Sequence, residues 1–144
     1  MLLKELTQTF GVSGRESEIA ALIKKTAAPY VDEFMDGGAL GSVIAVKHGS
    51  SANPKKIMPS AHMDEIGFCV MAITGLGMVK VRAVGGIPAG LTYGQRVRFQ
   101  NGIVGVVGCD FPIEDAKGDV SKLYIDIGAK NKEDAEKMVS CGAY

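Results

Sequence analysis

The sequence predicts an α/β chain in which helices and strands come first and a β-rich segment follows. Apolar residues recur at helical spacing over positions 2–27. The continuous apolar run 43–46 is typical of a strand in a sheet that is covered on both faces. After Gly67, short runs alternate apolar and polar residues between glycine-containing turns. We therefore expect an α/β segment over residues 1–66 and a β-rich barrel or sandwich over residues 67–144.

Two helices are predicted at the start of the chain. Gly11 is typical of the residue after a helix, and Pro29 ends the second one. Ser13 and Glu16 have the spacing of a capping box, in which a hydroxyl and a carboxylate accept hydrogen bonds from free amides at a helix start. The apolar residues that define the two stripes are Leu2, Leu3, Leu6 and Phe10 in the first helix, and Ile19, Leu22, Ile23 and Ala27 in the second.

Strands are predicted on both sides of position 67. Residues 31–35 and 43–46 form the first two, and the apolar run 56–58 reads as the end of a buried strand leading to His62. Asn101 and Gly102 predict a hairpin, because both tolerate positive φ. Asn131 can cap a last helix over residues 132–139. The remaining strands are expected at 68–73, 78–84, 95–99, 103–107 and 123–127, with a polar loop over 114–122.

Composition and charge exclude several classes of function. The chain has 144 residues with 16 basic and 16 acidic side chains, and this balance argues against a nucleic-acid or anionic-membrane surface. No apolar run is long enough for a membrane span, and charge comes too early for a signal peptide. The cysteines Cys69, Cys109 and Cys141 are odd in number and form no Cys-x-x-Cys motif. A reducing, cytoplasmic location is therefore expected.

The residue types that carry chemistry are concentrated at His62, Asp64 and Glu65. Side chains alternate faces on an extended backbone, so His62 and Asp64 point the same way. A neutral imidazole can bind a metal ion, while a neighbouring carboxylate orients the ring or moves protons. The alternative is a structural histidine that is hydrogen-bonded to its neighbour. Glu65 points to the other face or lies in a turn.

Taken together, separate stretches of the sequence resemble one family. They occur in order at 11–16, 61–68, 84–86, 94–97 and 125–129, and read GVSGRE, AHMDEIGF, VGG, GQRV and IDIGA. This pattern resembles the N-terminal part of the glutamyl aminopeptidase family of two-metal peptidases. That family includes tetrahedral and deblocking aminopeptidases and some members labelled endoglucanase. The resemblance covers nearly the whole chain.

The resemblance implies an architecture, a reaction and an assembly. Residues 1–66 would open the catalytic α/β domain, and residues 67–144 would be a β-rich dimerisation domain inserted into it. His62 matches a metal ligand, and Asp64 matches a catalytic carboxylate that holds the other ring nitrogen of this ligand; Glu65 has no settled role. Family members use two divalent ions, zinc or cobalt, to remove N-terminal residues from short peptides. They assemble as homo-oligomers, from dimers to hollow dodecamers.

The sequence also departs from the family pattern. Most of the family's metal ligands lie downstream of the part that this chain matches, so the metal site is expected to be incomplete here and the chain alone inactive. Three hypotheses follow. The first is an N-terminal portion of a metal-dependent aminopeptidase, and the second is an inactive binding or assembly module. The third, a glycanase, rests on family labels alone, because no pair of carboxylates flanking a sugar cleft is identifiable.

Overall fold

The computed structural model describes residues 1–116 and 118–144. This part of the chain divides into two compact units, Met1–Glu65 and Ile66–Tyr144, which we call unit 1 and unit 2. The predicted α/β class is confirmed, since helices and sheets both occur. Within the described residues, no helix combines the length and the apolar character that crossing a membrane requires.

Unit 1 contains two helices and a small antiparallel sheet. A buried trio of Phe10, Val12 and Ile19 forms its core. The first helix is shorter than predicted and ends before Phe10. Phe10 is nevertheless buried. The helices are α1 (Leu2–Gln8) and α2 (Ser17–Ala27), with a 3-10 turn over Ala28–Tyr30, and the strands are β1 (Glu33–Met35) and β2 (Ile44–Val46).

The strand predicted at 43–46 forms as β2, but its expected environment is wrong, and so is the strand end predicted at 56–58. Strand β2 pairs only with β1 among the described residues, and its first two side chains are exposed, so it is not covered on both faces. The predicted strand end at 56–58 does not form, and Ile57 and Met58 are 84% and 88% exposed. A strand needs a hydrogen-bonded neighbour, and no described segment pairs with these residues.

The predicted capping box is also wrong. Helix α2 begins at Ser17, and its N-cap residue Glu16 makes no side-chain hydrogen bond to the helix. The Glu16 carboxylate instead accepts from the amide of Gly14 (2.6 Å). The Ser13 hydroxyl is used elsewhere in unit 1, as described below. The box fails because Ser13 lies too far from the first helical residue to reach its amides.

Unit 2 is built on one five-stranded antiparallel sheet, whose strand order is β3-β4-β7-β6-β5. Its core is entirely apolar, and the largest fully buried side chains are Leu123, Ile125, Val70, Val79 and Val107. The strands are β3 (Gly67–Ile73), β4 (Val79–Val84), β5 (Arg96–Arg98), β6 (Val104–Cys109) and β7 (Leu123–Asp126); the helices are α3 (Ala89–Thr92) and α4 (Lys132–Met138).

The last residues of unit 2 connect the two edges of this sheet. The amide of Val70 in β3 donates to Ala143 O (2.8 Å), and the amide of Gly142 donates to Val70 O (2.9 Å). The amide of Gln100, next to β5, donates to Tyr144 O (3.0 Å). The backbone therefore closes the single sheet in the manner of a barrel, and a sandwich of two sheets is not formed by the described residues. A dimerising role for this unit is not visible in one chain and stays a prediction.

Local signals in unit 2 are confirmed. Gly102 has a φ of 89°, and its amide donates to Phe99 O (2.9 Å), as the predicted hairpin requires.

The segment expected to be a polar loop contains two 3-10 turns, Ile113–Ala116 and Val120–Lys122, because Ala116 and Val120 are buried in the core. The prediction of an irregular polar loop was therefore wrong in part; Lys117 lies outside the described residues.

Helix α4 begins with the cap that the sequence predicts. The Asn131 side-chain oxygen accepts a hydrogen bond from the amide of Asp134 (2.9 Å). We expect Asn131→Ala to lower the free energy of unfolding by about 0.5–2 kcal/mol, since one amide then loses its partner. Urea denaturation followed by circular dichroism measures this change. Asn131→Asp keeps an accepting oxygen and should remain close to the wild type; equal losses in both variants would contradict the capping role.

Candidate functional site

His62 and Asp64 meet in unit 1, although no strand holds them. His62 Nδ1 lies 2.9 Å from the Asp64 backbone oxygen and 3.2 Å from Asp64 Oδ1. Both neighbours are acceptors, so the hydrogen of a neutral imidazole resides on Nδ1. This tautomer leaves the lone pair on Nε2. The His62 side chain is 85% exposed and that of Asp64 is 39% exposed, so Nε2 is accessible from outside the unit.

The other oxygen of Asp64 is held by a residue that lies far away in the sequence. Ser13 Oγ donates to Asp64 Oδ2 at 2.5 Å. This hydrogen bond is the main reason that the pKa of the Asp64 carboxyl lies below its ordinary value of 3.8; partial desolvation acts in the opposite direction, and the contacts with its own backbone and with His62 lower the pKa further. Asp64 is therefore a carboxylate near neutral pH.

Glu65 faces away from this pair and ties two segments of unit 1 together. Its amide donates to Gly11 O (2.9 Å), and its Oε1 accepts from the amide of Gly11 (3.3 Å). A parallel bridge joins Val12 to Glu65, and the amide of Ser13 donates to Glu65 O (3.2 Å). The carboxylate of Glu65 is thus engaged with backbone, which separates it from the side chains of His62 and Asp64.

The chemistry of this donor set fits one ligand of a metal ion. An exposed imidazole whose Nδ1 is fixed by oxygen acceptors presents Nε2 as a ligand, which is the usual arrangement around protein-bound metals. Residues 1–116 and 118–144 contain no group of three or more His, Cys, Asp or Glu side chains that could hold a metal ion. Since zinc sites use at least three protein ligands, the described residues do not form a complete site.

The other histidine and the three cysteines lie outside the His62–Asp64 pair. His48 Nε2 lies 3.2 Å from Glu33 Oε1 in β1, and the amide of His48 donates to Asp32 Oδ2 (2.6 Å), so this histidine contacts residues at the start of the β1–β2 sheet. The three cysteines are free thiols at separate positions. Sequence analysis missed the bond of Ser13 to Asp64, because the spacing of Ser13 and Glu16 suggested a local cap instead.

Comparison with known proteins identifies the family. Residues 41–144 match the M42 glutamyl aminopeptidase family. A relative from Acetivibrio thermocellus, described as a proposed aminopeptidase, is 47% identical over 142 residues, which is 98% of this chain and 42% of the relative. This chain belongs to the M42 glutamyl aminopeptidase family. The resemblance stated from the sequence motifs is thereby confirmed.

Solved structures of similar proteins share this fold. The aminopeptidase APDkam598 from Desulfurococcus kamchatkensis is 34% identical, with a TM-score of 0.85 over 99% of this chain and 41% of its own. A Thermotoga maritima structure titled endoglucanase is 37% identical, with a TM-score of 0.84 over 99% of this chain and 43% of its own. The chain thus spans about two fifths of the length of the M42 proteins that it matches.

Proposed function

We propose that this M42 chain is part of a metal-dependent aminopeptidase that removes N-terminal residues from short peptides. The observation that carries this proposal is the exposed imidazole of His62, whose Nδ1 is held by Asp64 while Nε2 remains accessible. The family assignment supports it, as does the name of the Pyrococcus furiosus relative, lysyl aminopeptidase, which is 33% identical over 148 residues. Ligands beyond His62 would come from residues outside this segment.

In this proposal His62 is a metal ligand and Asp64 acts through it. Asp64 Oδ1 accepts the Nδ1 hydrogen, fixes the plane of the ring and makes Nε2 a stronger base. Two divalent ions, zinc or cobalt, would polarise the scissile carbonyl and acidify a bound water when present. Asp64 is ionised near neutral pH, so its negative charge is available to strengthen this ligand. Glu65 positions the motif through its hydrogen bonds with Gly11.

Self-association and location complete the proposal. One solved structure with 34% identity is titled as a dodecamer of PhTET1, and another is titled as assembling into a tetrahedron or a large octahedral shell. We propose a homo-oligomer here as well, with unit 2 supplying dimer contacts. The outward-facing Val104 and Val106 of β6 are half-exposed and apolar, which supports this role. The three free cysteines fit a cytoplasmic location.

A second candidate is a binding or assembly module without catalysis. The observation that favours it is that the described residues contain no complete set of metal ligands. Such a module would use unit 2 and would leave His62 and Asp64 without a role in turnover. The two candidates differ in what happens when the charge of Asp64 is removed.

We therefore expect Asp64→Asn, made in a full-length protein that contains this segment, to lower metal affinity and peptide hydrolysis by about 10–100-fold. The amide keeps the shape of the side chain but cannot supply the negative charge that strengthens the ligand. Metal content is measured by mass spectrometry, and hydrolysis is measured on peptides with free and acetylated N-termini. An aminopeptidase cleaves the peptide whose N-terminus is free and leaves the acetylated peptide intact.

Asp36→Asn is the matched control, because Asp36 accepts from the amide of Gly38 (2.9 Å) in an exposed turn where asparagine serves equally well. Its activity and melting temperature should equal those of the wild type. An Asp64→Asn protein with full peptidase activity and a lowered melting temperature would show that the His62–Asp64 pair is structural.

A further inference from the structure

We propose that Ser13 is a positioning residue of the metal site, which fixes the Asp64 carboxylate so that its other oxygen holds the imidazole of His62. The inference rests on the proposed function, because it adds a third member to the His62–Asp64 pair. It assigns a role in the site to a segment that lies 51 positions away from Asp64 in the sequence.

The geometry of the carboxylate carries the first step. Ser13 Oγ donates to Oδ2 at 2.5 Å, and Oδ1 lies 3.2 Å from His62 Nδ1. A carboxylate held at one oxygen can rotate about its side-chain bonds, whereas two contacts on opposite oxygens fix its plane. Ser13 Oγ also lies 3.5 Å from Glu65 O, but a hydroxyl donates one hydrogen, and the much shorter contact with Asp64 takes it.

The backbone of Ser13 is itself held firmly. Its amide donates to Glu65 O (3.2 Å), and the neighbouring Val12 is buried and forms a parallel bridge with Glu65. At Gly11, an added Cβ would lie 2.8 Å from Ile19 Cγ2, so the segment packs closely against α2. The hydroxyl is therefore presented to Asp64 by a buried scaffold, which is the support that a functional carboxylate requires.

A purely structural tie between the two segments is the competing interpretation. The segments at residues 11–13 and 64–65 are already joined by backbone hydrogen bonds of Gly11, Ser13 and Glu65. These bonds do not involve the Ser13 hydroxyl. The hydroxyl is thus not needed to bring the segments together, whereas it donates directly to the Asp64 oxygen that is not in contact with His62. The loss of the hydroxyl should accordingly affect the metal more than the fold.

The test uses Ser13→Ala and Ser13→Thr in a full-length protein that contains this segment. We expect Ser13→Ala to weaken zinc binding by about 10-fold, as other losses of ligand-orienting partners do, and Ser13→Thr to restore most of the affinity. Zinc dissociation constants are measured by competition with a chromophoric chelator, alongside kcat and KM. Thr9→Ala is the matched control, because the Thr9 hydroxyl bonds to Glu5 O (2.8 Å) in the first helical segment, away from Asp64.

A double-mutant cycle shows whether Ser13 acts through Asp64. In an Asp64→Asn background, Ser13→Ala should cause little further loss of zinc affinity, because the contact between Ser13 and the Asp64 carboxylate is already disturbed. Wild-type zinc affinity in Ser13→Ala, or an equal loss with and without the Asp64 charge, would overturn the inference. If Ser13→Ala does not fold, Ser13→Cys replaces it, since the thiol retains the volume but is a weaker donor.

His62→Ala separates this inference from the proposed function. If His62→Ala retains zinc, the proposed metal site is wrong and the role of Ser13 falls with it. If His62→Ala loses zinc while Ser13→Ala retains it, the metal site stands and only the positioning role is refuted.

Discussion

His62→Ala should abolish metal binding and peptidase activity in a full-length protein that contains this segment, with little change in melting temperature. In the proposed site, this substitution removes a metal ligand, whereas Asp64→Asn only weakens one. The loss of metal affinity should therefore exceed the roughly 10–100-fold that loss of a ligand-orienting partner causes. The fold should tolerate it, because the side chain is 85% exposed and its ring nitrogen Nδ1 contacts Asp64, its neighbour two positions along the chain. Calorimetry measures zinc binding, peptide hydrolysis measures activity, and thermal unfolding followed by circular dichroism measures the melting temperature.

His48→Ala is the natural control, since the sequence contains two histidines. His48 is also exposed and pairs with Glu33, so its loss removes an imidazole without touching Asp64. It should retain metal and activity. Metal binding that is lost to the same extent in both variants would mean that neither imidazole has a specific role.

The second large effect is on stability, and it is expected at the centre of unit 2. Leu123 is fully buried where β7 begins, with 0% of its surface exposed. Leu123→Ala leaves a cavity among Val70, Val79 and their neighbours and should lower the free energy of unfolding by about 2–5 kcal/mol. Denaturant unfolding of the chain, followed by far-ultraviolet circular dichroism, measures the change.

Leu91→Ala provides the comparison, because the same atoms are removed from a side chain that is 75% exposed on α3. Its effect should stay within about 0.5 kcal/mol. Equal destabilisation by the two variants would contradict the assignment of Leu123 to the core.

Local interactions account for what the sequence predicts well. The Asn131 cap, the Asn101–Gly102 hairpin and the alternating strands of unit 2 each depend on residues that are close in the chain. Their physical causes, a side-chain acceptor and tolerance of positive φ, can be read from the residue types themselves. The family motifs were equally readable, and the family is confirmed.

Non-local pairing accounts for the errors. The strand expected at 56–58 needs a partner that short-range patterns cannot supply, and the structure describes none for it. The capping box failed for the converse reason, because Ser13 had a plausible local use and a stronger distant one at Asp64. His62 and Asp64 do lie together as expected, but through the Asp64 backbone oxygen as well as its side chain, and without a strand. Their roles in catalysis stay a prediction.

The hydrogen bonds of residues 142–144 have a consequence for how unit 2 is made during translation. Of the strands of unit 2, β3 is synthesised first. The amide and carbonyl of Val70 in β3 nevertheless obtain their hydrogen-bond partners only when Gly142 and Ala143 leave the ribosome. Until then the amide and the carbonyl of Val70 lack these partners, and such unpaired groups at a strand edge can pair with other chains. Unit 2 therefore cannot complete its closure until residues 142–144 have been made.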